Sequence, residues 1–137
     1  PNADSLFLLE VDLGKLGKKK VVAGLKKYFS QEDLKGRKAV FVANMKPAKL
    51  RGEMSEAMIL AADDGVHAGI LEVQKTALGE EVHFEGTENS RAEITFEEFI
   101  KLVMEVRAGE VFWESRKLVG IVEEAKVHGV NDGARVR

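Results

Sequence analysis

Asn44-Met45-Lys46-Pro47-Ala48-Lys49-Leu50-Arg51-Gly52-Glu53-Met54-Ser55-Glu56-Ala57-Met58-Ile59-Leu60 sets three cations in a loop punctuated by proline and glycine, between one apolar run that ends at Ala43 and another that starts at Ala57. Pro47 fixes one backbone angle and Gly52 permits a sharp reversal, so Lys46, Lys49 and Arg51 are held toward one side, where a polyanion meets them together. This arrangement points to phosphate recognition. The formal charge of the whole chain is only −2, but residues 1–60 carry twelve Lys/Arg against seven Asp/Glu, a net +5, and residues 61–110 carry four against twelve, a net −8. Such asymmetry aims one face at a polyanion and turns the other away, or else belongs to an ordinary, unevenly charged solvated surface.

The strands on either side place this loop in an all-β context. Leu6 to Asp12 is apolar-rich and is followed by Gly14 and Gly17, then by Lys19 to Ala23 with paired valines, which predicts a hairpin. Ser30 with Asp33 three residues on resembles a capping box closed by Gly36, so a short connector helix follows. Lys38 to Ala43 and Ala57 to Ala62 read as strands, the second turning at Asp63-Asp64-Gly65 into Ala68 to Val73, and Glu81 to Phe84 reads as another. Short strands with glycine-bearing turns and no long crossover helices predict a five-stranded barrel with minor α content.

Farther on, Thr95-Phe96-Glu97-Glu98 forms a capping box, and Phe96, Phe99, Ile100 and Val103 recur at helical spacing, a stripe that suits packing on the barrel or holding a partner. Glu105 to Trp113 and Leu118 to Val127 read as strands, and Asn131-Asp132-Gly133 as a turn. At 137 residues the chain suits one domain, with residues 1–86 as barrel core and 87–137 as a helix-and-strand extension. The start at Pro1, without a methionine or a leader, suggests a processed, excised or engineered piece.

Lys18, Lys19 and Lys20 together with Lys26 and Lys27 flank Val21-Val22-Ala23-Gly24-Leu25, and serve equally well as phosphate contacts or as solvated ends of one strand. Tyr28, Phe29 and Phe41 read as core aromatics rather than base-stacking platforms. Ser55 has no histidine near it in sequence and no nucleophile elbow, so hydrogen bonding is its expected role. His67, His83 and His128 lack metal-ligand spacing, and there is no phosphate-cradling glycine loop; no metal, cofactor or catalytic residue is expected. Asp63-Asp64 and Glu97-Glu98 sit in a turn and a first helical turn, where acids are favoured without any catalytic role. No apolar run approaches the roughly 20 residues of a membrane span, and the absence of cysteine suits a reducing, cytoplasmic setting.

Taken in order, Pro1-Asn2-Ala3-Asp4-Ser5-Leu6, Val21-Val22-Ala23-Gly24-Leu25, Val42 to Gly52, Ser55 to Leu60, Gly69-Ile70-Leu71-Glu72 and Gly79 to Gly86 resemble the structure-specific tRNA-binding domain of methionyl- and tyrosyl-tRNA synthetases, shared with endothelial monocyte-activating polypeptide and with free-standing bacterial tRNA-binding proteins. The resemblance implies an OB-fold barrel, an oligonucleotide/oligosaccharide-binding fold, that grips tRNA by shape and backbone without reading one anticodon, with an aminoacyl-tRNA synthetase as partner. Carried over position by position, it implies Asn44, Lys46, Lys49, Arg51, Ser55 and Met58 as the RNA-binding surface. Glu56 departs from the glutamine or histidine usual in the family and adds a negative charge where RNA approaches.

The family opens with a helix and a strand before the Pro-Asn-Ala-Asp-Ser-Leu signature. Here Ile94 to Leu102 and Met104 to Val111 resemble that helix and strand, placed downstream, and Val122 to His128 resembles their continuation. One expectation is therefore a permuted order in which Met104 to Val111 or Leu118 to Val127 pairs with Leu6 to Asp12; the other is a C-terminal extension of the cytokine-like kind. An open strand edge favours a homodimer. Two other functions are a peptide-binding secretion chaperone, a branch that shares the signatures, and a dimerisation or scaffold module whose RNA binding has decayed, to which Glu56 and the acidic half of the chain point.

Overall fold

The computed structural model describes residues 6–26, 28–50, 52–87, 89, 92–99, 101–120 and 122–136. Arg51, Lys27, Ile100 and the Pro1–Ser5 part of the first signature lie outside the described residues.

Strands β1 (Phe7–Asp12) and β2 (Lys18–Ala23) form the expected hairpin, in register from Phe7↔Ala23 to Asp12↔Lys18. Alternation sends Val11, Val21 and Ala23 inward. The connection is a 3-10 turn over Gly14–Leu16, which meets a second turn glycine to glycine. A Cβ on Gly14 would stand 2.3 Å from the Leu78 carbonyl oxygen, and one on Gly79 2.4 Å from that of Leu13. Helix α1 (Gln31–Leu34) carries both halves of the capping box, Ser30 Oγ accepting from Asp33 N and Asp33 accepting from Ser30 N. Strand β3 (Phe41–Val42) pairs with β6 (Met58–Ile59), and between them lies a hairpin of β4 (Ala48–Leu50) and β5 (Glu53–Ser55).

The remaining strands, β7 (Ala61–Asp63), β8 (Ala68–Ile70), β9 (His83–Phe84), β10 (Met104–Arg107), β11 (Glu110–Trp113), β12 (Arg116–Val119) and β13 (Arg135–Val136), join in one antiparallel sheet in the order β8-β7-β13-β10-β11-β12-β9. The molecule is mostly β, built of antiparallel sheets with a few short helices. Its main core gathers Leu60, Leu71, Val106, Val111 and Leu118, with Phe99 of helix α2 (Phe96–Phe99) laid against it. A neighbouring cluster holds Ala23, Leu25, Ile59 and Ile70, against which Phe29 and Phe41 pack.

Three expectations are corrected. The permuted pairing does not form: among the described residues β1 pairs with β2, whereas β10 pairs with β11 and β13, and β12 with β11 and β9. The reason lies in the core, since Met104, Val106 and Leu118 bury with Leu60 and Leu71 while Val11 buries with Val21 and Ala57. Glu105 to Trp113 is not one strand but a hairpin reversing at Ala108-Gly109, both at positive φ (52° and 78°), a turn for which Asn-Gly is the usual signal. The stretch after Thr95 makes a single helical turn, and Val103 is exposed rather than part of a stripe.

Side chains that accept from backbone N–H groups bind the C-terminal region to the rest. Glu123 accepts from the Thr76 hydroxyl (2.6 Å) and from the amides of Gln74 (2.8 Å), Lys75 (2.6 Å) and Thr76 (2.6 Å). Asp64 accepts from His67, Val66 and Asn131, and the first of these holds its carboxyl well below the usual carboxylate range. Farther along, β8 passes so close to the C-terminal segment that a Cβ on Gly69 would lie 2.4 Å from the His128 carbonyl oxygen.

The Thr76 hydroxyl, then the Gln74 amide, pull the Glu123 carboxyl down to about 2 from 4.5. Because the folded value is the lower one, this contribution to stability is complete above about pH 4.5 and is lost as pH falls through about 2. Urea titrations of Glu123→Gln across this range are expected to show a variant less stable than the parent at pH 7, with the gap narrowing steadily below pH 4.5. A gap independent of pH would contradict this role.

Candidate nucleic-acid interface

The cationic loop is itself a hairpin. β4 and β5 pair Ala48↔Ser55, Lys49↔Met54 and Leu50↔Glu53, and Gly52 at φ 84° makes the reversal possible. Strand alternation puts Ser55 inward and sends Met54, with its cross-strand neighbour Lys49, outward to solvent. Lys46 precedes Pro47 and is also exposed. Neither ammonium has a carboxylate partner among the described residues, so both are available to a ligand.

The hairpin is fastened to β2 by its last strand. Ser55 Oγ accepts from Val22 N (3.0 Å) and donates to the Ala57 carbonyl (3.0 Å). One residue on, Glu56 N donates to the Lys20 carbonyl (2.8 Å) while its Oε1 accepts from Lys20 N (2.9 Å). Ser55 is therefore buried, with donor and acceptor both used inside the protein. Glu56, which the sequence marks as an unwelcome charge, joins the chain just after β5 to β2 through Lys20. A carboxylate does this with a charge-assisted hydrogen bond to a main-chain amide.

Lys18 and Lys20 lie on the outer face of β2, next to the hairpin, but the register sets Asp12 and Glu10 opposite them. Lys18 Nζ stands 3.9 Å from Glu10 Oε1, an exposed pair worth at most about 1 kcal/mol. This face is locally balanced in charge rather than strongly cationic. Lys19 is half-buried on the side of Val21, and Lys26 sits 5.6 Å over the Phe7 ring. Met58, paired with Val42, is half-buried against the main core.

Asn44 is engaged within the protein, its Nδ2 donating to the Ala92 carbonyl at 2.6 Å. The chain around Ile94 runs parallel to Asn44–Lys46 and exchanges main-chain hydrogen bonds with it, a contact that sequence reasoning missed. Ile94 in front of the Thr95 capping box was the available signal, since an apolar residue just before a helix start often packs against neighbouring structure. Among the described residues no three His, Cys, Asp or Glu side chains converge as a metal would require, and no helix is long and apolar enough to cross a membrane.

Residues 1–81 match the family described as "Putative tRNA binding domain". The chain is 52% identical over 71 residues to methionine–tRNA ligase of Thermococcus onnurineus, which spans 52% of this chain and 10% of that protein. It is 46% identical over 83 residues to the methionine–tRNA ligase of Nanoarchaeum equitans, 60% of this chain and 11% of that protein. The matched stretch is thus about a tenth of the length of these relatives. The fold is similar to that of the C-terminal domain of Plasmodium vivax p43, with a TM-score of 0.87 at 22% identity, covering 100% of this chain and 88% of that one. With residues 1–81 of 137 matched, more than half its length, the chain belongs to the tRNA-binding domain family.

Proposed function

We propose that this domain binds tRNA without catalysis, recognising folded shape and phosphate backbone, as an appendage of an aminoacyl-tRNA synthetase or in trans to one, in the cytoplasm. Its sheets wrap as an OB-fold barrel that presents one edge to RNA. The observation that supports this most is the β4–β5 hairpin, with Lys49 on β4 and Lys46 just ahead of it, neither paired with a carboxylate among the described residues, within the family-matched stretch. Lys46, Lys49 and Arg51 neutralise phosphates, with Lys18 and Lys20 adding a weaker, internally compensated field alongside. Ser55 and Glu56 act by holding the hairpin in place, and Met58 by filling the core beneath it.

One observation favours a second reading, in which the domain holds an extended peptide or a second copy of itself. A cleft of about 1320 Å3 opens beside β1, lined by Leu9, Val11, Leu34, Val40 and Phe41 among others. Such a space accepts an added strand. Peptide binding that tRNA fails to compete away, or a native mass twice that of the chain, would support it.

The tRNA reading is tested by salt. The affinity of the parent for tRNA is expected to fall steeply between 50 and 200 mM salt, as counterion release requires. Lys46→Ala with Lys49→Ala is expected to reduce the slope of log affinity against log salt by about 1.5, two phosphate contacts being lost. An unchanged slope would sink the assignment. Ser55→Ala leaves the Val22 amide without its acceptor and is expected to cost about 1–3 kcal/mol in urea unfolding.

A further inference from the structure

We infer that Ala92–Ile94, which lies beyond the family-matched residues, is a clamp that positions Lys46 for tRNA, and that Asn44 serves the interface by gripping this clamp rather than by touching RNA. The inference rests on the tRNA reading above. Three hydrogen bonds form the clamp: Asn44 Nδ2 to the Ala92 carbonyl (2.6 Å), Ile94 N to the Asn44 carbonyl (3.0 Å) and Lys46 N to the Ile94 carbonyl (2.8 Å). Together they make a parallel bridge between Met45 and Ile94, and both of these side chains pack partly buried against the main core.

The far end of the clamp is fixed as well. Thr95 follows Ile94 and starts α2, its N–H donating to Glu98 Oε1 (2.9 Å) and its Oγ1 accepting from Glu98 N (3.2 Å), while Phe99 is buried. Lys46 therefore leaves the backbone between a bridged, partly buried Met45 and Pro47, whose φ is set by its ring. A cation rooted in this way loses less conformational freedom when it meets a phosphate than one on a free loop, and that saving appears as affinity. Ala92, Glu93 and Ile94 bring no cation of their own, so the clamp is assigned its effect through the residue it holds.

A double-mutant cycle on the full chain separates the two roles. Asn44→Ala removes the amide donor and Ile94→Pro removes the N–H that bonds Asn44, and each is combined with Lys46→Ala, with Lys18→Ala as the control partner. tRNA affinity is measured at one fixed salt concentration, and thermal melting confirms folding. Each clamp variant is expected to bind roughly two- to tenfold more weakly than the parent, to show no further loss in the Lys46→Ala background, and to keep its full loss in the Lys18→Ala background.

Clamp losses that persist in full without Lys46 would overturn the inference, as would Asn44→Ala weakening binding while Ile94→Pro has no effect, the signature of direct contact between Asn44 and RNA. Should Ile94→Pro fail to fold, the Asn44→Ala arm of the cycle is sufficient by itself, coupling to Lys46 supporting the clamp and its absence overturning it. If Lys46→Ala has no effect on the parent background, the role of Lys46 in the tRNA reading falls and the clamp with it. If Lys46→Ala weakens binding but the cycle shows no coupling, the clamp alone is overturned.

Discussion

The hydrogen bonds that tie β5 to β2 are the constraint on which the interface depends. A two-stranded hairpin alone in water is marginally stable at best, and β4–β5 has only a handful of paired residues. Ser55 and Glu56 anchor this two-stranded sheet to β2 by satisfying the amides of Val22 and Lys20 and the carbonyl of Lys20. The backbone that carries Lys49 is anchored while its side chain stays exposed. Burial would have cost the ammonium desolvation, and a free loop would have cost ordering at the moment of binding.

The same device recurs around the molecule. Glu123 collects three consecutive amides and the hydroxyl of Thr76, Asp64 binds the turn after β7 to Asn131, and Glu72 receives Arg37 from the end of α1 through two hydrogen bonds. Each carboxylate ties segments distant in sequence, Glu123 and Asp64 through backbone amides and Glu72 through a guanidinium. Acids that look like surplus charge in the sequence are thus fasteners. The strongly negative middle of the chain includes two such fasteners, Asp64 and Glu72, and the capping Glu98.

Much of this was legible in the residues. The β1–β2 hairpin, the Ser30 capping box, the turn at Asp63-Asp64-Gly65 and the reversal at Gly52 follow from apolar alternation and turn chemistry, and the structure holds each of them. What stayed hidden depends on contacts between distant segments. Nothing local in Ser55 says that its hydroxyl faces Val22, and nothing in Asn44 names Ala92 as its partner. Ala108-Gly109 was missed because alanine rarely takes positive φ, so a turn imposed by pairing on both sides leaves no composition signal. The permuted order failed for a related reason: similarity in sequence pattern does not say which core a strand will enter.

Which ammonium groups the RNA covers decides where on this domain tRNA binds. Lysine-selective acylation of the native domain, read by mass spectrometry with and without saturating tRNA, measures this site by site. Protection is expected to be strongest at Lys46 and Lys49, weaker at Lys18 and Lys20, and absent at Lys26 and Lys126. Full reactivity of Lys46 and Lys49 in the complex, with protection elsewhere, would contradict the central claim.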